Sequence, residues 1–212
     1  MQIPVLVLTY LALATQLLGQ TGGTPPLAQP TSMSADRAQD SYEIYSQLLK
    51  SGPIEWRDAD RKQWLIEDTT NAVRLDADCG ADNTGMSPRG GVKAPEDRQP
   101  EWKELLADYD QHCHDVIQLN RDSFRTELPV RLLNADDKRG FESDPHRPPA
   151  EFADGAGLHQ FTQVFFNANH TLAAVKEGMW CGSLCGNWTW VVLERRHERW
   201  VVLPWTVLSE IS

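Results

Sequence analysis

From Leu158 onward the chain offers four segments of strand length separated by connections too short for anything but turns. They read "LHQFTQVFFN", "TLAAVKEGMW", "WTWVVLERR" and "RWVVLPWTVL", with "ANH", "CGSLCGN" and "HE" between them. Val, Phe, Thr and Trp suit a pleated, half-buried surface. Such short connections join antiparallel neighbours, because a parallel return needs a crossover of about a dozen residues or more. The C-terminal part is therefore expected to form a curved antiparallel sheet ending in a four-stranded meander. In the third segment Trp188, Trp190 and Val192 share one face while Thr189, Val191 and Leu193 share the other. Apolar side chains on both faces imply that both are at least partly covered, so helices must supply the cover.

Two helices are expected upstream. In "DSYEIYSQLLKSG", Ile44, Tyr45, Leu48 and Leu49 recur at helical spacing, Asp40 or Ser41 suits the N-terminal cap, and Gly52–Pro53 ends the run, so a short helix begins near Asp40. After Pro100, the residues Trp102, Leu105, Leu106, Tyr109, Cys113, Val116 and Ile117 trace one apolar stripe, predicting a long helix from about Glu101 to Asn120. A strand is expected from about Gln63 to Thr69, in a stretch rich in aromatic and β-branched types. Two polar segments, at about 76–100 and 134–157, carry no apolar period and read as long loops. The fold class is thus α+β, in a single domain spanning 40–212.

The first twenty residues hold no charged side chain and an apolar stretch from Ile3 to Leu18, the layout of a secretory signal peptide, although its n-region lacks Lys and Arg. Residues 21–39, rich in Gly, Thr, Pro, Ser and Ala, read as a disordered leader. No later stretch reaches membrane-spanning length, so no span is expected once the signal is removed. Twenty basic against thirty acidic side chains, a net charge of −10, argue against a nucleic-acid partner, which needs a concentrated basic face. Export leads to an oxidising compartment, where four cysteines form disulfides. Three connectivities exist. Sequence proximity favours Cys181 with Cys185, leaving Cys79 with Cys113, and loop closure gives the bridges about 2 and about 4 kcal/mol respectively.

Several of these features also resemble a known group. Phe166–Asn167, Leu172–Ala173, the loop Gly182 to Gly186, Leu193–Glu194 and Trp200 follow in an order similar to the closing region of a broad group of secreted bacterial proteins with no assigned activity. The segments "YEIYSQLL" and "EDTT" resemble the N-terminal part of the same group. The resemblance implies an extracytoplasmic location and lends no catalytic residue. A weaker likeness links the last two strands to cone-shaped α+β domains of the nuclear-transport-factor-2 type, which host both enzymes and binders.

Each candidate chemistry has a plainer competitor. Cys181 and Cys185 are spaced C-x-x-x-C rather than C-x-x-C, which fits a structural bridge at a hairpin tip better than a redox dithiol. In "HCHD", His112 and His114 lie two residues apart and would project roughly 200° from each other on a helix, so no metal site is expected there. No nucleophile elbow, phosphate loop or dinucleotide fingerprint is present. Carboxylate pairs can be composed from Glu67 with Asp68, Asp136 with Asp137, and Glu177 with Glu194 across adjacent strands, but each has an ordinary structural reading. Eight tryptophans are many for 212 residues, and Trp188, Trp190 and Trp200 form a candidate binding surface, against the commoner use of Trp as core filler.

The expectation is a secreted or periplasmic, non-catalytic binding or interaction domain whose ligand or envelope partner is unknown, with no cofactor and no catalytic residue assigned. The alternative is a small extracytoplasmic hydrolase with its site in the concavity of the sheet, near the two long loops.

Overall fold

The computed structural model describes residues 30–51, 61–71, 79, 87–143, 149–155, 157–181, 186–206 and 209–211. The expected signal peptide, residues 21–29 of the leader and Cys185 lie outside the described residues. Among the described residues no helix is long and apolar enough to cross a membrane.

Among the described residues the helices and strands follow in the order α1 (Ala35–Ser51), β1 (Trp64–Glu67), α2 (Pro88–Gly91), α3 (Gln99–His112), β2 (Val130–Leu133), α4 (Ala135–Ser143), β3 (Leu158–Phe161), β4 (Phe165–Phe166), β5 (Leu172–Trp180), β6 (Gly186–Arg196), β7 (Arg199–Leu203) and β8 (Ser209–Ile211). The eight strands form one sheet in the order β2-β1-β3-β5-β6-β7, with β4 also on β5 and β8 also on β6. The sheet is mixed. β1 runs parallel to both β2 and β3, while β3, β4, β6, β7 and β8 all pair antiparallel. The α+β class stands, and the sheet is larger than its C-terminal part because β1 and β2 extend it.

Strand alternation distributes the apolar residues to two sides. Ala173 and Val175 of β5 with Val191 and Leu193 of β6 meet Tyr42, Ile44, Tyr45, Leu48 and Leu49 of α1. Leu172 and Ala174 with Trp190 and Val192 meet Trp102, Leu105 and Tyr109 of α3. A smaller cluster of Leu65, Leu133, Phe141, Phe152 and Leu158 closes the parallel end beneath α4.

The helix lengths reverse the expectation. The helix expected from Asp40 begins five residues earlier, so Ala35–Gln39 are helical rather than part of a disordered leader. Ala, Arg and Gln extend a helix readily, and Arg37 fixes its first turn by a bidentate pair with Asp108 of α3 at 2.8 and 2.9 Å and a 2.8 Å bond to the Val164 carbonyl. The helix expected to reach Asn120 stops at His112, with Cys113 as its C-cap. Beyond it the chain pairs with the end of β1: Thr70 donates to the Ile117 carbonyl at 2.9 Å, its hydroxyl accepts from the Ile117 N–H at 2.8 Å, and Leu119 donates to Asp68 at 2.8 Å. Those inter-segment bonds replace the helical ones, so the apolar stripe continues without the helix.

The two expected loops also contain structure. Ser87 caps α2 within the first, and the second contains α4, where the Asn134 side chain accepts from the N–H groups of Asp136 and Asp137 at 2.8 and 3.0 Å. That is an N-cap readable in "NADD". One disulfide joins Cys79 to Cys113, with Cα atoms 6.4 Å apart across 34 residues of sequence. Cys181 is buried and disulfide-bonded as well.

Candidate functional site

The turn between β4 and β5, "NANHT", is built by one side chain. Asn167 is nearly fully buried, its Oδ1 accepts from the N–H groups of Thr171 and Leu172 at 2.8 Å each, and its Nδ2 donates to the Thr171 hydroxyl at 2.9 Å. A carboxamide supplies both acceptor and donor, which a carboxylate or an aliphatic chain cannot. The turn carries His170 in the left-handed region at φ 52°, a conformation that costs energy in a residue with a Cβ.

His170 is held on two sides. Its ring stacks on Phe166, with centroids 4.4 Å apart and planes 6° from parallel. Its Nδ1 lies 3.1 Å from Oδ2 of the buried Asp40, whose Oδ1 accepts from Arg195 at 2.9 Å. Beside this pair lies a groove of about 350 Å³ between α1, α3 and the turn. Arg37, Asp108, Glu104, Gln111, Phe166 and His170 are among its lining residues. Asp108 is committed, since besides Arg37 it accepts from the Phe166 N–H at 2.9 Å. Arg37 is committed to Asp108 and to a carbonyl, and it also sits over the Phe166 ring at 5.3 Å. Glu104 is exposed and, among the described residues, accepts a long 3.4 Å bond from the Ala168 N–H. Among the described residues no serine, threonine or cysteine lines the groove.

A second polar feature sits on the α1 side of the sheet. His159 lies opposite Met179 and Phe161 opposite Glu177, so His159 and Glu177 are diagonal neighbours on one face. Burial, reinforced by the Arg61 charge, lowers the His159 pKa to about 3, and its Nε2 is buried without a hydrogen-bond partner among the described residues. Burial alone raises Glu177 to about 7. Perturbed acids and bases of opposite sense mark functional sites more often than chance.

The sequence-derived candidates fare unevenly. Trp190 and Trp200 are 1% and 2% exposed, packed against Tyr109 and Phe166 respectively, and cannot form an exposed surface. Trp188 is partly buried over Gly178 and donates to Gln160 at 3.1 Å. For Trp190 and Trp200 the expected aromatic surface is therefore corrected to core, and alternation on β6 turns Trp190 and Val192 inward together. Glu177 and Glu194 do not meet, because Glu177 faces Thr189 while Glu194 faces Leu172, five rungs along the ladder. Glu194 is burdened by burial, yet hydrogen bonds from Arg196 and Arg98 outweigh this and hold its pKa below the usual value. Glu67 pairs with Lys138 at 3.0 Å rather than with Asp68, and Asp136 pairs with Arg139 on α4. His112 pairs with Asp115 at 2.8 Å. His114, Cys79 and Cys113 do converge, but as a disulfide with an imidazole beside it. The bridge expected between Cys181 and Cys185 falls on a residue outside the described ones.

Sequence reasoning did not single out His170, Arg37 or His159, and it read Asp40 only as a helix cap, whereas Asp40 lies inside α1. The "FFNANH" string was a usable signal for the first, since Asn before a tight turn supplies side-chain bonds to the backbone. Nothing in the sequence joins Asp40 to Arg195 across 155 positions. Comparison with known protein families, with curated proteins and with solved structures found no match.

Proposed function

We propose that this chain is an extracytoplasmic, non-catalytic binding domain whose groove at the β4–β5 turn takes a positively charged side chain of a partner or peptide. The observation that carries this is the state of the groove's charges. Among the described residues its guanidinium, Arg37, is consumed by Asp108 and by Val164, while Glu104 stands exposed at the rim with a long 3.4 Å hydrogen bond from Ala168. A ligand entering there meets an uncommitted carboxylate beside an aromatic–imidazole stack, in a chain of net charge −10 that attracts cations at long range. A pre-paired polar lining also needs little reorganisation on binding. The disulfides and the likeness to secreted bacterial proteins support the extracytoplasmic reading.

Calorimetric titration of tri-lysine into the oxidised full chain tests this. Saturable one-site binding that weakens with salt, and falls at least fivefold in Glu104→Gln, is expected. Binding that is non-saturable, or that Glu104→Gln leaves unchanged, refutes it.

A second reading rests on His170 and Asp40, whose contact is the base and orienting half of a hydrolytic dyad. With no hydroxyl or thiol among the described lining residues, the dyad would have to activate water. Turnover of simple esters or amides that disappears in His170→Ala would favour the hydrolase over the binder.

A further inference from the structure

The Cys79–Cys113 bridge has an imidazole against it. Nε2 of His114 lies 3.4 Å from Sγ of Cys79, and the two sulfurs and a His114 ring nitrogen all fall within 4.8 Å of one another. Zinc bonds of about 2.3 Å to sulfur and about 2.0 Å to nitrogen, set tetrahedrally, place a sulfur and a nitrogen ligand about 3.5 Å apart and two sulfurs about 3.8 Å apart. The histidine already stands at that spacing, so only the sulfurs must part.

The two cysteines would not drift away once the bond between them is cut. Cys113 is held as the C-cap of α3 by its N–H bond to Tyr109 at 2.8 Å. The Cys79 carbonyl accepts from Arg89 at 3.0 Å, and Arg89 pairs at 2.8 Å with Asp110 of the same helix and lies over the Tyr109 ring. Arg89 is thus a second, non-covalent tether between Cys79 and α3. The site also lies at the C-terminal end of that helix, where the exposed carbonyls favour a cation.

We propose that this is a redox-gated metal site. A dithiol reductant exchanges with the bridge, transferring two electrons and leaving itself as a disulfide and the protein with two thiols. These thiols lose their protons to solvent as a borderline-soft divalent cation such as Zn²⁺ binds, and His114 supplies the third ligand, with water in the fourth position. In the oxidised chain the sulfurs are spent on each other and the site is closed. This inference is independent of the groove and its ligand.

The test uses the full chain carrying Cys181→Ser and Cys185→Ser, so that only one bridge responds, with Co²⁺ as the probe and a phosphine as a reductant that contributes no thiol. One Co²⁺ per reduced chain, with thiolate charge-transfer and tetrahedral ligand-field bands, is expected, and none in the oxidised chain. His114→Ala should weaken binding at least tenfold while leaving the bridge able to form in the oxidised protein. Equal binding by the oxidised form, no binding by the reduced form, or indifference to His114→Ala overturns the proposal. Far-UV circular dichroism follows in parallel, and unfolding on reduction would also overturn it, because the Arg89 tether is then insufficient.

Discussion

Replacing Glu177 by Gln should stabilise the protein increasingly as pH rises above about 4.5, and fully above about pH 7. The carboxyl sits partly buried on the α1 side of the sheet, between Val175 and Met179 along β5, opposite Phe161 on one flank and Thr189 on the other. Burial raises its pKa from 4.5 to about 7. The folded chain therefore holds this proton more tightly than the unfolded chain. Below about 4.5 both states are protonated and the group costs nothing. Between 4.5 and about 7 the folded state binds more protons, so stability falls as pH rises, and above 7 the full cost of a desolvated carboxylate is present. At about 1.36 kcal/mol per pH unit, that gap amounts to at most about 3 kcal/mol, reduced by whatever water reaches the group.

His159, its diagonal neighbour, acts in the opposite direction. Its pKa is lowered to about 3, so the unfolded chain takes up a proton below about 6.5 that the folded chain refuses, and stability falls with acid through that window. The stability of the natural chain alone thus mixes two slopes, whereas the difference between Glu177→Gln and the natural chain isolates the carboxyl. Urea unfolding followed by fluorescence of the eight tryptophans should give a variant more stable by about 2–3 kcal/mol at pH 8 and equal to the natural chain at pH 4. A difference that is the same at both pH values would falsify the desolvation argument, since a simple packing change does not titrate.

Three further outcomes are expected. Removing the Cys79–Cys113 bridge by a double Ser substitution should cost about 4 kcal/mol, from the 34-residue separation that it closes; a loss under 1 kcal/mol in urea unfolding would show that the loop is ordered without it. Gly178→Ala should cost about 1–3 kcal/mol and shift tryptophan emission to the red, because a Cβ there overlaps the Trp188 indole and drives it off Gln160; unchanged emission would place the strain elsewhere. Asp40→Asn should destabilise by about 1–3 kcal/mol, since it strips the charge partner from Arg195 and His170 while Arg195 keeps some contact with water; equal stability in the two proteins would mean that the pair contributes nothing net.

Periodicity in the sequence was informative where a residue's role depends on its near neighbours. The alternation on β6 foretold two covered faces, and Ile44, Tyr45, Leu48 and Leu49 are all buried on α1. The stripe from Trp102 to Ile117 is also buried except for partly covered Leu106 and Val116, yet a helical pattern could not reveal that Ile117 to Leu119 lie beyond the helix and pair with residues 68–70. Backbone pairing partners lie far away in sequence and leave no local trace. The tryptophans failed as a surface for a related reason, because composition cannot say which face of a strand meets a helix. Trp190 lies against Tyr109 of α3, whereas Trp188, two residues earlier on the same face, is only partly covered.

The sequence by itself determined the α+β class, the strand-forming character of the C-terminal part and the main apolar faces, and it favoured one of three cysteine pairings, of which the structure gives Cys79–Cys113. Each follows from periods of two or 3.6 residues, or from counting. Only the tertiary structure decided the mixed sheet, the parallel placing of β1 between β2 and β3, and the convergence of Asp40, His170 and Arg195 beside the groove. Charged partners carry no periodic signature, because a carboxylate is equally at home in water or beside a distant guanidinium. What distinguishes the two is the burial imposed when the helices close on the sheet.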